Sequence, residues 1–118
     1  MRFVEEDDQI VDTLTGLIWQ RAYNPNLTFG EVLKYAEQLS KESGLEWRVP
    51  TIEELSTLID RSRAKPASTF PDMPAIAFWS STAYVGYTYS NWFVNFNTGG
   101  VDCDFCNRDK AVRLVRTM

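Results

Sequence analysis

Two copies of one helix-start signature, 23 residues apart, constrain this chain more than any other feature it carries. Thr28 with Glu31, and Thr51 with Glu54, form T-x-x-E capping boxes, in which threonine and glutamate each satisfy a backbone N–H that a helix start leaves free. Behind the first box, Phe29, Val32, Leu33, Ala36 and Leu39 recur at 3.6-residue spacing. That predicts a helix with one buried face, with Glu31, Lys34, Lys41 and Glu42 in water and Gly44 placed to end it. Behind the second, Ile52, Leu55, Leu58 and Ile59 share a face after Pro50. This helix is expected to end near Arg61 to Arg63, where arginines suit the negative end of the helix dipole.

On either side of the two helices the pattern is strand and loop. Arg2 to Glu5 and Gln9 to Asp12 read as short strands around the acidic turn Glu6-Asp7-Asp8, and Leu17 to Gln20 is apolar enough for a third. Tyr23-Asn24-Pro25-Asn26 reads as a turn, and residues 64–74, with three of the five prolines, as an irregular loop. Trp92, Val94 and Phe96 alternate with Asn91, Phe93, Asn95 and Asn97, so a strand here points the first set inward and shows the second. Gly99-Gly100 makes a hairpin turn, Val101 starts a return strand, and Ala111 to Arg116 closes the structure with Arg113 and Arg116 as its polar members. With 118 residues and no second core beyond the loop, residues 1–118 are expected to form one domain.

Several function classes fall away on composition. The chain has no histidine, which excludes Ser-His-Asp and Cys-His nucleophiles and histidine-ligated metal sites. No apolar run approaches the roughly 18 residues of a membrane span, and the acidic stretch Met1 to Ile10 is unlike a secretory signal. Residues 1–60 carry five basic side chains against twelve acidic ones, and residues 61–118 carry seven against four. A net charge of −4 without a dense Lys/Arg stripe argues against nucleic acid as partner.

Chemistry is scarce in what remains. Cys103 and Cys106 form a C-x-x-C that reads as half a zinc site, a redox pair, a local disulfide or coincidence. Zinc would need carboxylates such as Asp102 and Asp104 as further ligands, and a thioredoxin-like pair belongs at a helix start, not in a strand-rich tail. Asp102 and Asp104 share a strand face, a spacing open to paired-carboxylate chemistry, to calcium or to a solvated face. Ser80-Ser81-Thr82 lacks a nucleophile elbow, and no phosphate-binding glycine loop is present. The expectation is therefore not an enzyme, with no metal and no cofactor. Nine of the sixteen aromatics fall between Phe78 and Phe105 and mix with Ser, Asn and Gly, the residue types that binding surfaces favour. Tyr84, Tyr87, Tyr89 and Phe93 are too many to bury beside Trp79, Trp92 and Phe96, so an exposed aromatic surface is expected.

Five segments in order carry a resemblance: Asp12-Thr13-Leu14-Thr15-Gly16-Leu17-Ile18-Trp19; Trp47-Arg48-Val49-Pro50-Thr51-Ile52-Glu53-Glu54-Leu55; Phe78-Trp79-Ser80-Ser81-Thr82; Trp92 to Phe96 with Gly99-Gly100-Val101; and Val112-Arg113-Leu114-Val115-Arg116. Together they resemble the Legionella-collagen-like protein C-terminal domain family. The resemblance implies an α+β chain of C-type lectin-like fold, with two helices packed on a small twisted, mostly antiparallel β-structure with long loops. It also implies binding: either adhesin tips that take sulfated glycans, or variable proteins of diversity-generating retroelements, in which adenine-directed mutagenesis rewrites one C-terminal stretch. Asp102 to Asn107 fits the second branch, since every member is reachable from an asparagine codon by changing adenines; Lys110 is not. The calcium-binding triplet of sugar-binding lectins is absent, and the context of the copper-binding cysteines of the lectin-fold oxygenase is not matched. The expected ligand-binding residues are Tyr84, Tyr87, Tyr89, Asn91, Phe93, Asn95, Asn97, Asp102, Asp104, Phe105, Asn107 and Arg108. The expected partner is a protein or glycan on a cell or virion surface, and the resemblance leaves a homo-oligomer and cell-surface, secreted or virion display open.

Overall fold

In the computed structural model, which describes residues 1–118, both capping boxes close. The Thr28 amide donates to Glu31 Oε1 at 2.9 Å and the Glu31 amide to Thr28 Oγ1 at 3.4 Å; the Thr51 and Glu54 amides do the same at 2.9 and 3.1 Å. Helix α1 (Phe29–Ser43) ends at Gly44, whose φ of +72° is the left-handed conformation glycine adopts without strain. Its buried stripe differs from the spacing by one position. Leu33 is 50% exposed, and Tyr35 packs inward in its place. Helix α2 (Ile52–Ser56) is much shorter than its pattern suggests. Asp60 captures the Ser62 amide at 2.9 Å and its hydroxyl at 2.6 Å, so Arg61 and Arg63 lie in a turn and not in a last helical turn.

The strands are β1 (Phe3–Glu5), β2 (Gln9–Asp12), β3 (Leu17–Gln20), β4 (Asn24–Leu27), β5 (Ala77–Ala83), β6 (Ser90–Asn95), β7 (Gly100–Phe105), β8 (Lys110–Val112) and β9 (Val115–Thr117). One sheet has the order β1-β2-β3-β9, the other β4-β8-β5-β6-β7. All pairings are antiparallel except β5 with β8. This is an α+β chain with a mostly antiparallel β-structure, consistent with a C-type lectin-like fold. Two local readings are corrected. The expected turn at Tyr23 to Asn26 contains β4, which Pro25 can join because an edge strand leaves one row of N–H groups unused. The single closing strand is two, split at Arg113 and Leu114 between the two sheets.

Apolar side chains cover both faces of the sheets. Leu17, Trp19, Phe78, Val94 and Ala111 pack with Leu55 and Leu58, whereas their neighbours Ile18, Trp79 and Val112 pack on the other side with Val32 and Ala36 of α1. That explains why all four residues of β3 are buried. It also overturns the inside-outside assignment in β6. Phe93 is half-buried and packs with the α1-side core, and Trp92 is half-buried where full burial was expected.

The segments that carried the resemblance do structural work. Glu54 closes its cap and also accepts both Arg48 Nη atoms, at 2.6 and 2.7 Å. Asp12 accepts Arg2 Nε at 3.0 Å, Arg2 Nη2 at 2.9 Å and the Leu14 amide at 3.0 Å. Burial alone would raise the Asp12 carboxyl, but the Arg2 bond, the Leu14 and Thr15 bonds and the Arg2 charge outweigh it and hold it below its ordinary 3.8. A lowered carboxyl stabilises the fold at pH above its ordinary value and loses that contribution as pH falls through its folded value. Arg2→Ala should therefore cost about 1.5–3 kcal/mol at neutral pH. The gap to wild type in urea unfolding should narrow as pH is lowered from about 4 to about 2; a gap independent of pH would contradict the pairing.

Candidate functional site

Three backbone hydrogen bonds gather the aromatic-rich segments at one end of the five-stranded sheet. The Tyr84 amide donates to Ser90 O at 2.9 Å and closes the β5–β6 loop; the Cys106 amide donates to Tyr89 O at 2.7 Å; the Phe29 amide at the start of α1 donates to Cys106 O at 2.9 Å. Loop, post-β7 turn and helix start are thereby one unit.

Within it the rings form a ladder running outward. The Tyr84 ring meets Trp92 edge-on at 5.1 Å, and Tyr87, 62% exposed, leans over Tyr84 at 5.5 Å and 30°. A Cβ on Gly86 would run into the Tyr84 ring, so glycine there lets the loop lie against it. Tyr89 is 82% exposed at φ +59°. It stands between two cavities that share Thr88, Tyr89 and Cys106: one of about 580 Å³ also lined by Phe29, Tyr84 and Tyr87, the other of about 470 Å³ also lined by Phe105, Asn107 and Arg108. Val85 and Phe105 add exposed apolar surface. Hence Tyr84, Tyr87, Tyr89, Phe105, Asn107 and Arg108 of the expected set share one surface.

Of the other six, only Asn91 reaches this surface, as a lining residue of the larger cavity. Asn91 is buried, donating Nδ2 to Ser80 O at 3.1 Å and accepting the Cys106 thiol at 3.5 Å. Phe93 lies under Lys110, whose Nζ is 4.0 Å from its ring centroid, and the same ammonium pairs with Asp104 at 2.9 Å. Burial raises the Asp104 carboxyl, but the Lys110 bond and then the Phe105 amide outweigh it and lower it. Asn95 and Asn97 occupy the far end of the β6–β7 hairpin: Asn95 pairs with Gly100 and Ser90 with Phe105, about 17 Å apart along the strand. There Asn95 Oδ1 accepts the Asn97 amide at 2.9 Å. Asp102 is exposed on β7 and accepts the Cys103 amide at 2.8 Å.

Gly86 and the ladder role of Trp92 are not singled out by sequence pattern, and Lys110 reads as a position outside the variable stretch, not as the partner of Phe93 and Asp104. Only the aromatic-glycine spacing Tyr84-x-Gly86-Tyr87 hints at the ladder. Cys103 and Cys106 are both free thiols, burial raising Cys106, and no three His, Cys, Asp or Glu side chains gather as a metal site. A larger groove of about 830 Å³ beside the end of α1 holds mostly charges already engaged, Lys41 with Glu37, Arg48 with Glu54 and Arg116 with Gln9, together with Glu46.

A family model described as the Lcl C-terminal domain matches residues 8–116. No curated protein matches the chain.

Proposed function

This chain belongs to the Lcl C-terminal domain family, and from that premise we propose that it is a non-enzymatic binding domain that takes a protein or glycan on the tyrosine-bearing end of its five-stranded sheet. One observation carries the reading. Tyr87, Tyr89 and Phe105 are exposed aromatics of 62%, 82% and 49%, held side by side around two adjoining cavities by backbone bonds and not by their own burial. Exposed tyrosines on a fixed loop offer large contact area at little entropic cost, which is how binding surfaces concentrate their energy. Asn107 and Arg108 supply polar contacts at the rim.

The finer reading is a variable protein of a diversity-generating retroelement. Asp102 to Arg108 lies on an edge strand and turn and contributes no buried side chain, so substitutions there leave the core intact. Sequencing this coding region across a population tests it. Adenine-directed substitutions are expected between codons 84 and 108, sparing Trp92, Val94 and Phe96; uniform codons would sink it. A sulfated-glycan adhesin is the second reading, supported by Arg108, which makes no salt bridge and lines the smaller cavity.

The site is tested with arrays of neutral glycans, sulfated glycans and extracellular proteins, probed with wild type and with the triple variant Tyr87→Ala/Tyr89→Ala/Phe105→Ala. Hits should weaken at least about thirtyfold, as for central interface aromatics. Retained binding would remove this surface from consideration. Steep loss with added salt would select the glycan reading, since only charge-driven binding is screened.

A further inference from the structure

The two carboxylates that the binding surface leaves out, Asp102 and Asp104, have matching backbone contacts. Strand β7 is the outer strand of its sheet, bonded only to β6. The amides of Cys103 and Phe105 therefore point outward, the row that an edge strand offers to any passing strand. Each is already taken: the Cys103 amide donates to Asp102 Oδ1 and the Phe105 amide to Asp104 Oδ1, both at 2.8 Å. At the other edge of the same sheet, β4 carries Pro25, which has no N–H to offer. Each edge thus has donors withdrawn, by different means, and on β7 only the Val101 amide of the same row is left without a side-chain acceptor.

We propose that Asp102 and Asp104 close the β7 edge against strand addition by a second copy of this chain. The symmetry of the pairing they prevent supports that choice of occupant. Two β7 strands meeting antiparallel about Cys103 would place Val101 opposite Phe105, and Asp102 of one copy opposite Asp104 of the other. Four carboxylates would then crowd one face, and like charges directly opposite each other are unfavourable. The aspartates act twice, once as acceptors that occupy the outward amides and once as charges that repel the partner. This inference does not depend on the binding site proposed above, and where codons 102 and 104 are rewritten, as the variable-protein reading expects, it holds for the copy that carries both aspartates.

The acceptor and the charge are separable. Asp102→Asn/Asp104→Asn keeps an oxygen beside each outward amide and discards the charge; Asp102→Ala/Asp104→Ala discards both. In sedimentation velocity over about a hundredfold range of concentration, with reductant present to keep both thiols free, the alanine pair should shift toward twice the wild-type mass. The asparagine pair should shift much less. Adding Cys103→Pro to the alanine pair should return it to the wild-type mass, since proline fits where the N–H faces outward but gives a new strand nothing to bond. An alanine pair with native circular dichroism and wild-type mass overturns the proposal. So does an asparagine pair that associates as strongly as the alanine pair, or association that survives Cys103→Pro. Because Asp104 also holds Lys110, Asp102→Ala alone is the second variant; it leaves that ion pair intact and should still associate measurably.

Discussion

Replacing Trp79 by alanine should remove about 3–5 kcal/mol of unfolding free energy, the range for large buried aromatics. The ring is completely buried on the α1 side of the central sheet. It meets Phe29 edge-on at 6.0 Å and Phe93 at 6.4 Å, and its Nε1 donates to Leu27 O at 3.1 Å. One side chain thus ties the start of α1, the end of β4 and the middle of β6. In urea, the midpoint should fall with little change in slope. Trp79→Phe keeps most of the ring but orphans the Leu27 carbonyl, and should cost about 1–2 kcal/mol. If alanine costs no more than phenylalanine, the ring's packing is not what holds these elements.

Arg113→Ala should be the next most damaging change, at about 2–4 kcal/mol, from a cavity plus two carbonyls left without a donor. Arg113 is buried to 1% exposure, donates Nη1 to Gln20 O at 3.1 Å and to Arg21 O, and lies 4.6 Å over the Phe70 ring with Phe78 and Tyr23 near. Its Nε and Nη2 bond to no oxygen or nitrogen; the aromatic faces are their surroundings. Burial pulls the guanidinium down to about 10, against the fields of Tyr23 and Asp72, so it is still a cation at neutral pH. Arg113→Met fills the cavity but supplies no donor. Its loss should fall between wild type and alanine, at about 1–3 kcal/mol. A methionine variant as stable as wild type would mean that the cost of burying the charge cancels everything the cation contributes.

What the sequence made legible here is what depends on near neighbours in the chain. The caps at Thr28 and Thr51 need only the residue three positions on, and both formed. The short length of α2 depends on Asp60 turning the chain toward Ala67, whose carbonyl accepts the Asp60 amide at 2.7 Å, and no periodicity encodes that. Arg113 reads as a polar strand residue because alternation assumes one wet face, and this strand passes between two sheets. The same assumption exposed Phe93, which faces a second core. Of the expected site, the tyrosines are legible because they crowd one loop. Asn95 and Asn97 were grouped with them because alternation assigns a residue to a face without saying how far along the strand it stands.

The pairing of β3 with β9 joins Leu17 to Thr117 across 100 residues. On a ribosome adding about 5–20 residues each second, β3 waits roughly 5–20 s for its partner. During that interval Trp19 and Ile18 have no neighbour on one side, and the four-stranded sheet exists as a hairpin meander that cannot close. The stretch from Tyr84 to Arg108 is therefore always synthesised before the strand that locks the domain. Whatever side chains that stretch carries are already in the chain when Val115 reaches Trp19, so the closure of the four-stranded sheet takes place with them in position.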